Sequence, residues 1–210
     1  YADHLGKFIK FAYSNNIYDN WIKKKDTVIN INSFNNAINH IASPEIYIDQ
    51  ENKKFYLLTH SHSSNIKGQW TYLSESENGL HFNVLIDKPL APFYLRVFYY
   101  NNFFYGISKG GNLWKTKNLK EQFSACQNLF DSTKSKDLLH NYDGAIRHVS
   151  LFIEQNILYI FYTKIGDKPE RIYYSQLDFN IDEKDWKFEF EKEILRPTVE
   201  FEGANLPMTK

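Results

Sequence analysis

Seven side chains in this sequence combine a reactive type with a suggestive position. Arg147 and His148 stand back to back in GAIRHVSLF (144–152), directly after Asp143. Glu45 lies in SPEIYID (43–49), a few residues beyond His40; Arg96 lies in FYLRVFYY (93–100); Glu202 opens EGANLPM (202–208). Carboxylates that converge on one cavity can divide acid and base work between them. A guanidinium can hold a carboxylate or a pair of hydroxyls, or depress a neighbouring carboxyl pKa. An imidazole can shuttle a proton or donate to a hydroxyl. Each position also has a plainer reading: Arg147 as an ion pair with Asp143 or Glu202, His148 as a satisfied core residue, Glu45 as a structural carboxylate. The RH pair poses a problem of its own. Strand alternation puts Arg147 on the side of Ala145, Val149 and Leu151, and His148 on the side of Ile146, Ser150 and Phe152.

The elements that must position these groups come from an internal repeat. IKFAYSNNIYDNW (9–21), WTYLSESENGLHF (70–82), NLWKTKNLKEQF (112–123) and RIYYSQLDFNIDEKDW (171–186) share one plan. Each is a short alternating strand ending near Ser14, Ser74, Thr116 or Ser175, then a polar turn, then Trp or Phe. Two further strands precede each of the last three units: 43–49 with KKFYLLTHS (53–61), 93–100 with NFFYGIS (102–108), and AIRHVSLFI (145–153) with ILYIFYTKI (157–165). The turns QEN, NN and EQN join them as hairpins. With an edge strand near the aromatic, the unit becomes a four-stranded antiparallel sheet, and radial repetition of such sheets makes a β-propeller. A β-sandwich is the alternative. Three nearly full blades and two partial ones are expected. The first lacks room for its inner strands before Ile9, and a new inner strand begins at 202–208. The chain 1–210 therefore reads as one all-β, five-bladed propeller domain with pieces missing from its first and last blades. FDSTKSKDLLHNY (130–142) has room for one short helical turn.

With these blocks in view, the sequence resembles a known group. HIASPEIYIDQENKKFYLLTHSH, SENGLHF, IRHVSLFIEQNILYIFYTKIGDKPERIYYSQLD and FEGANLP are similar to an uncharacterised bacterial set of five-bladed propellers. That set in turn resembles the glycoside hydrolase clan of arabinanases, β-xylosidases, invertases and levansucrases. The resemblance implies a carbohydrate-active enzyme that hydrolyses glycosidic bonds at the mouth of a central channel. A non-catalytic propeller that binds a glycan or a protein partner is the alternative, because one fold hosts both. Enzymes of the clan use a carboxylate base, a helper aspartate and a glutamate acid on innermost strands. Glu202 in EGA matches the glutamate acid, which would need a pKa raised by burial. Ser43 stands where the helper aspartate is found, with Glu45 two residues on, and no base is matched. Blade geometry would bring His40, Glu45, Arg96, Asp143, Arg147, His148 and Glu202 to one axis. Arg147, His148, Arg96 and His40 then become substrate-holding groups, and Glu202, Glu45 and Asp143 the carboxylates of the chemistry.

Composition bounds the rest. The hydrophobic share of 42% is enough for a core, and 17 Phe with 15 Tyr favour pleated, half-buried surfaces. Twenty-five basic and 25 acidic side chains cancel, which argues against a nucleic-acid footprint. KKKD (23–26) reads as a solvated loop, and so does GDKPER (166–171) with Lys168 and Glu170 at its tip. KGGN (109–112) lacks the phosphate-loop pattern, so no cofactor is expected. His60 and His62 have a spacing a metal pair can use, with His40 or Glu45 as a third ligand; solvated histidines are the preferred reading, and no metal is expected. Cys126, the lone cysteine, reads as buried filler or as a harmless side chain, and its solitude favours a reducing, cytoplasmic compartment while leaving export open. No signal peptide and no membrane-spanning apolar run is visible, and a start at Tyr1 suggests processing or a fragment.

Overall fold

A computed structural model describes residues 1–3, 5–130 and 145–207. These residues form antiparallel strands joined in chain order. β1 (Phe8–Tyr13) and β2 (Ile22–Asn30) make a two-stranded sheet. β3 (Ala37–Asp49), β4 (Lys54–Ser63), β5 (Gln69–Ser76) and β6 (Asn83–Pro92) make a four-stranded meander. A second meander is β7 (Arg96–Tyr100), β8 (Phe103–Ile107), β9 (Asn112–Thr116) and β10 (Ser124–Asn128). The third is β11 (Ile146–Glu154), β12 (Ile157–Lys164), β13 (Ile172–Asp178) and β14 (Glu189–Leu195). Among the described residues helix is confined to 3₁₀ turns of three residues, such as Lys109–Gly111 and Glu200–Glu202.

Turn chemistry explains the tight hairpins. Asn101 and Asn102 both take positive φ, 46° and 64°, as do Gln155 and Asn156 at 49° and 64°. Two such residues make a turn whose twist matches the flanking strands, and asparagine tolerates that region best among non-glycines.

The chain divides into two compact units, Tyr1–Leu95 with Thr116–Phe123, and Arg96–Lys115 with Ser124–Lys210. Each has its own core. In the first, Ile9, Ile29, Ile41, Leu57, Tyr72 and Phe82 pack together. In the second, Leu158, Ile160 and Tyr162 alternate along β12 and are 0–1% exposed, packed with Tyr105, Leu113 and Trp186. The aromatic that follows each turn works as an anchor. Phe82 is buried and its N–H donates to Val28 O (3.0 Å); Phe123 is buried and donates to Leu90 O (2.9 Å). Trp186 is buried 5.1 Å from Tyr105. Trp21 departs from the rule, with 53% of its surface exposed.

Four expectations are corrected. KKKD (23–26) is solvated but is not a loop, since it lies within β2. Residues 202–207 are not a strand: Glu200–Glu202 is a 3₁₀ turn, and Gly203 leaves it at φ 90°. β7 starts at Arg96 rather than at Phe93: Tyr94 sits at φ 60°, outside the extended region, and ladder pairing begins with Arg96 opposite Ile107. Cys126 is exposed on β10, not buried. The helical turn expected in 130–142 falls, Phe130 aside, outside the described residues.

Candidate functional site

The back-to-back RH pair is explained by a β-bulge. Ile146 pairs with Lys164 and Val149 with Tyr162, so β11 spends three steps where β12 spends two. The extra residue breaks the alternation, and bulges commonly re-aim side chains in this way. Ala145, Ile146 and Val149 stay buried, while Arg147 is partly exposed and His148 about half exposed. The expectation that the two side chains diverge to opposite faces is therefore replaced. Both meet one carboxylate: Arg147 Nη1 is 3.6 Å from Glu170 Oε2, and His148 Nδ1 is 3.9 Å from Glu170 Oε1. Glu170 is thus not a solvated tip, although Lys168 is exposed as expected.

Two more cations join from other elements. Arg96 heads β7, and its Nε donates to Val149 O at 3.2 Å. Lys109 enters on the turn Lys109–Gly111, where Gly110 and Gly111 have φ 84° and 80°. Asn128 Nδ2 donates to Gly110 O at 2.7 Å. A Cβ on Gly111 would lie 2.5 Å from the Phe130 ring and 3.5 Å from Ile146 Cγ1, so the turn presses directly on β11. Burial and then the Arg147 charge lower the Lys109 pKa. His148 is lowered too, first by burial and then by Arg147; Glu170 opposes the shift, while Arg96 and Lys109 add to it.

Next to this cluster lies a cavity of about 360 Å³, lined by Glu170, Arg171, Ile172, Leu195, Arg196, Pro197 and Glu202. The Ile172–Leu195 pairing brings its walls together at the ends of β13 and β14. Glu193 clamps both arginines, accepting from Arg171 Nη1 at 3.1 Å and from Arg196 Nε and Nη2 at 2.7 and 2.8 Å. Arg196 chiefly, with Arg171, holds the Glu193 carboxyl down at about 2. Glu202 Oε2 accepts from Thr198 N at 2.8 Å and from Val199 N at 3.4 Å. Those amides, Thr198 first, hold Glu202 below the ordinary carboxylate range. The direction is opposite to the raised pKa expected of an acid.

His40 and Glu45 belong to the other unit. His40 is buried on β3, with its ring 5.5 Å from both His60 and His62 of β4, each contact edge-to-face. The HSH pair does share one strand face and meets His40. Among the described residues no group of three or more His, Cys, Asp or Glu has the geometry to hold a metal ion. Glu45 is part-buried opposite Leu58. A larger cavity in this unit, about 560 Å³, is lined by Ile9, Phe11, Ile46, Phe55 and Phe82 among others, and among the described residues no acid or histidine borders it. Asp143 lies outside the described residues. The structure therefore gathers Arg96, Arg147 and His148, ties the latter two to Glu170, and adds Glu202 across the neighbouring cavity. Lys109 and Glu170 are the members that sequence reasoning missed. Hairpin register could have found Glu170: Ile165 N bonds Ala145 O at 2.9 Å, so the turn after β12 must return beside the start of β11.

Meanders of four antiparallel strands with buried aromatic anchors are the blades of a β-propeller, and solved glycoside hydrolases of that class share this fold. The endo-arabinase of Bacteroides thetaiotaomicron superposes with a TM-score of 0.64 at 12% identity, covering 91% of this chain and 81% of its own. A β-xylosidase/α-arabinofuranosidase from a compost metagenome gives 0.62 at 10% identity over 87% of this chain and 66% of its own. The β-fructofuranosidase of Bombyx mori gives 0.61 at 12% identity over 88% and 42%. Identities this low establish the fold alone. In sequence, an uncharacterised protein of Acanthamoeba polyphaga mimivirus is 28% identical over 221 residues, 99% of this chain. The chain spans 62% of that relative's length. No family model matches the sequence.

Proposed function

We propose that this protein is a carbohydrate-active enzyme that hydrolyses glycosidic bonds at the cavity between Glu170 and Glu202. The supporting observation is that two carboxylates from separate segments line one cavity, in a fold shared with glycoside hydrolases. Such enzymes divide the work between two carboxyl groups flanking the scissile bond. Glu202, kept ionised by the Thr198 and Val199 amides, suits the base or nucleophile rather than the acid. Glu170 is its counterpart, oriented by Arg147 and His148, which also offer donors to sugar hydroxyls. Ile172, Leu195 and Pro197 supply an apolar wall for the ring.

A panel of aryl glycosides and polysaccharides tests this, with Glu170→Gln and Glu202→Gln beside the wild type. Each change keeps shape and removes proton transfer, so each should cost on the order of a hundredfold or more in rate. Wild type that cleaves nothing on the panel overturns the catalytic reading. A second reading, a propeller that binds a glycan without cleaving it, is favoured by one feature. Both arginines of the cavity are engaged by Glu193 and the Glu202 carboxylate by its own backbone, which are structural tasks. Glycan binding that is unchanged in both variants supports that reading.

A further inference from the structure

We propose that a second copy of this chain docks head-to-tail, with the Trp21 surface of one copy packed on the end of β14 of the other. The contact repeats one that the chain already makes three times within itself. The residue immediately before the last strand of each sheet is an aromatic: Trp21, Phe82, Phe123 and Phe188 in turn. Phe82 N donates to Val28 O at 3.0 Å, Phe123 N to Leu90 O at 2.9 Å, and Phe188 N to Leu129 O at 2.8 Å. Val28 and Leu90 lie on β2 and β6, and Leu129 directly follows β10; these are the last strands of their sheets. Each later sheet therefore seats an aromatic on the last strand of the sheet before it.

Each half of that contact is left uncovered once. Among the described residues no sheet precedes the first, and Trp21 is 53% exposed, with Ile17, Tyr18 and Ile22 exposed as well. Trp21 Nε1 donates to Ile17 O at 3.3 Å and Ser14 Oγ to Asp19 O at 2.6 Å, so the patch is held in shape before any partner arrives. Among the described residues no sheet follows β14. Val28, Leu90 and Leu129 are at most 8% exposed, whereas Ile194 and Leu195 at the end of β14 are 48% and 59% exposed. In its sheet β14 pairs with β13 alone, so its outer edge presents backbone carbonyls. One molecule thus carries an uncovered anchor and an uncovered seat of a contact it otherwise completes. The two patches differ, so the contact is heterologous: a copy gives Trp21 to one neighbour and accepts another on β14. Apolar surface leaves water, and a bond from Trp21 N–H to a β14 carbonyl fixes the register.

Sedimentation velocity of the whole chain at rising concentration tests this. Wild type should self-associate, and Trp21→Ala and Ile194→Ser should each weaken association about tenfold or more, the effect of removing a buried anchor. Ile194 is changed rather than Leu195 because Leu195 also lines the cavity beside Glu170. Both positions are exposed, and circular dichroism checks that the variants fold. An equal mixture of the two variants is the most discriminating arm. Trp21 of the Ile194→Ser copy still meets an intact β14 on the Trp21→Ala copy, so the mixture should form a one-to-one complex that neither variant forms alone. Wild type that stays monomeric at every concentration overturns the proposal. So does association that survives either change in a folded variant. A mixture that stays monomeric while wild type associates also overturns it, since the contact is then not head-to-tail.

Discussion

Gly111→Ala probes the turn that carries Lys109 into the cluster. The added Cβ would lie 2.5 and 3.2 Å from two atoms of the Phe130 ring. That ring packs against Tyr162 and Phe188, each 4.9 Å away by centroid, so moving it away from the new Cβ disturbs both contacts. Position 111 also has φ 80°, where an L-residue costs roughly 1–2 kcal/mol. Overpacking adds about 1–3 kcal/mol. Gly79→Ala is the matched control, with φ 71° and its nearest neighbour, the Phe55 ring, at an ordinary 3.6 Å. It carries the strain of roughly 1–2 kcal/mol and no clash. For a chain of this length each kcal/mol lowers Tm by about 2–4 °C. The control should therefore fall by roughly 2–8 °C and Gly111→Ala by clearly more, about 4–20 °C. Scanning calorimetry with parallel urea melts reads the difference. If the two variants match to within about 0.5 kcal/mol, the turn does not press on Phe130 and Ile146, and the support for Lys109 beside Arg147 is lost.

Two further measurements bear on single groups. Although Cys126 is exposed as a residue, desolvation at its thiol and then Glu183 raise the thiol pKa, so its thiolate share at pH 8 falls below that of an ordinary cysteine. Alkylation by iodoacetamide at pH 8 should be slower than for a free peptide thiol, and a normal rate would contradict the assigned surroundings. Glu202 has a folded pKa below its ordinary 4.5, so its contribution to stability is present above the unfolded value and is lost as pH falls through the folded one. The urea midpoint of Glu202→Gln should lie below that of wild type at pH 7 and converge with it below pH 4.5; a gap that ignores pH would mean that the amides of Thr198 and Val199 do not hold the carboxylate.

The parts of the fold that were legible in the sequence depend on local rules. Alternation marked β4, β5, β12 and β13, and paired Asn residues marked the β7–β8 turn, because side-chain period and turn φ are properties of a few adjacent residues. The site was legible in type but not in geometry. Period-two counting sent Arg147 and His148 apart; only the register against β12 reveals the inserted residue. Glu170 looked like a loop tip because its Gly-Asp-Lys-Pro context is a turn signal, whereas its partners lie more than twenty residues upstream. EGANLPM reads as the inner strand of a next blade from its place after the last full repeat, yet Glu202 folds back onto the Thr198 and Val199 amides. Trp21 carries the same motif as Phe82 and Trp186 and still lies exposed, since a motif specifies an anchor and not the surface that receives it.

Two sheets, one in each unit, divide their labour in the same way. β4 and β5 pair without a break from Phe55–Ser76 to His62–Gln69, and β12 and β13 from Ile157–Asp178 to Tyr162–Tyr173. Register slips in the outer pairings, at β5–β6 and β13–β14 on one side and along the first strand on the other. On β3 it slips between Ile38 and Ala42 and again between Ala42 and Glu45, with Asn39 at φ 73° and Ser43 at φ 48°. On β11 it slips between Ile146 and Val149. These are the stretches that hold His40 and Glu45 in one unit, Arg147 and His148 in the other. A bulge forfeits ladder hydrogen bonds, and an interior strand would lose them on two sides. A first strand loses them on one, and a bulge bends it and turns its polar side chains away from the core. Regular inner ladders thus carry the stability, and the irregular first strand is free to gather charge. Chemistry in this chain should accordingly be sought at the broken register of β3 and β11, and mutations along β4 or β12 should change stability before they change any binding.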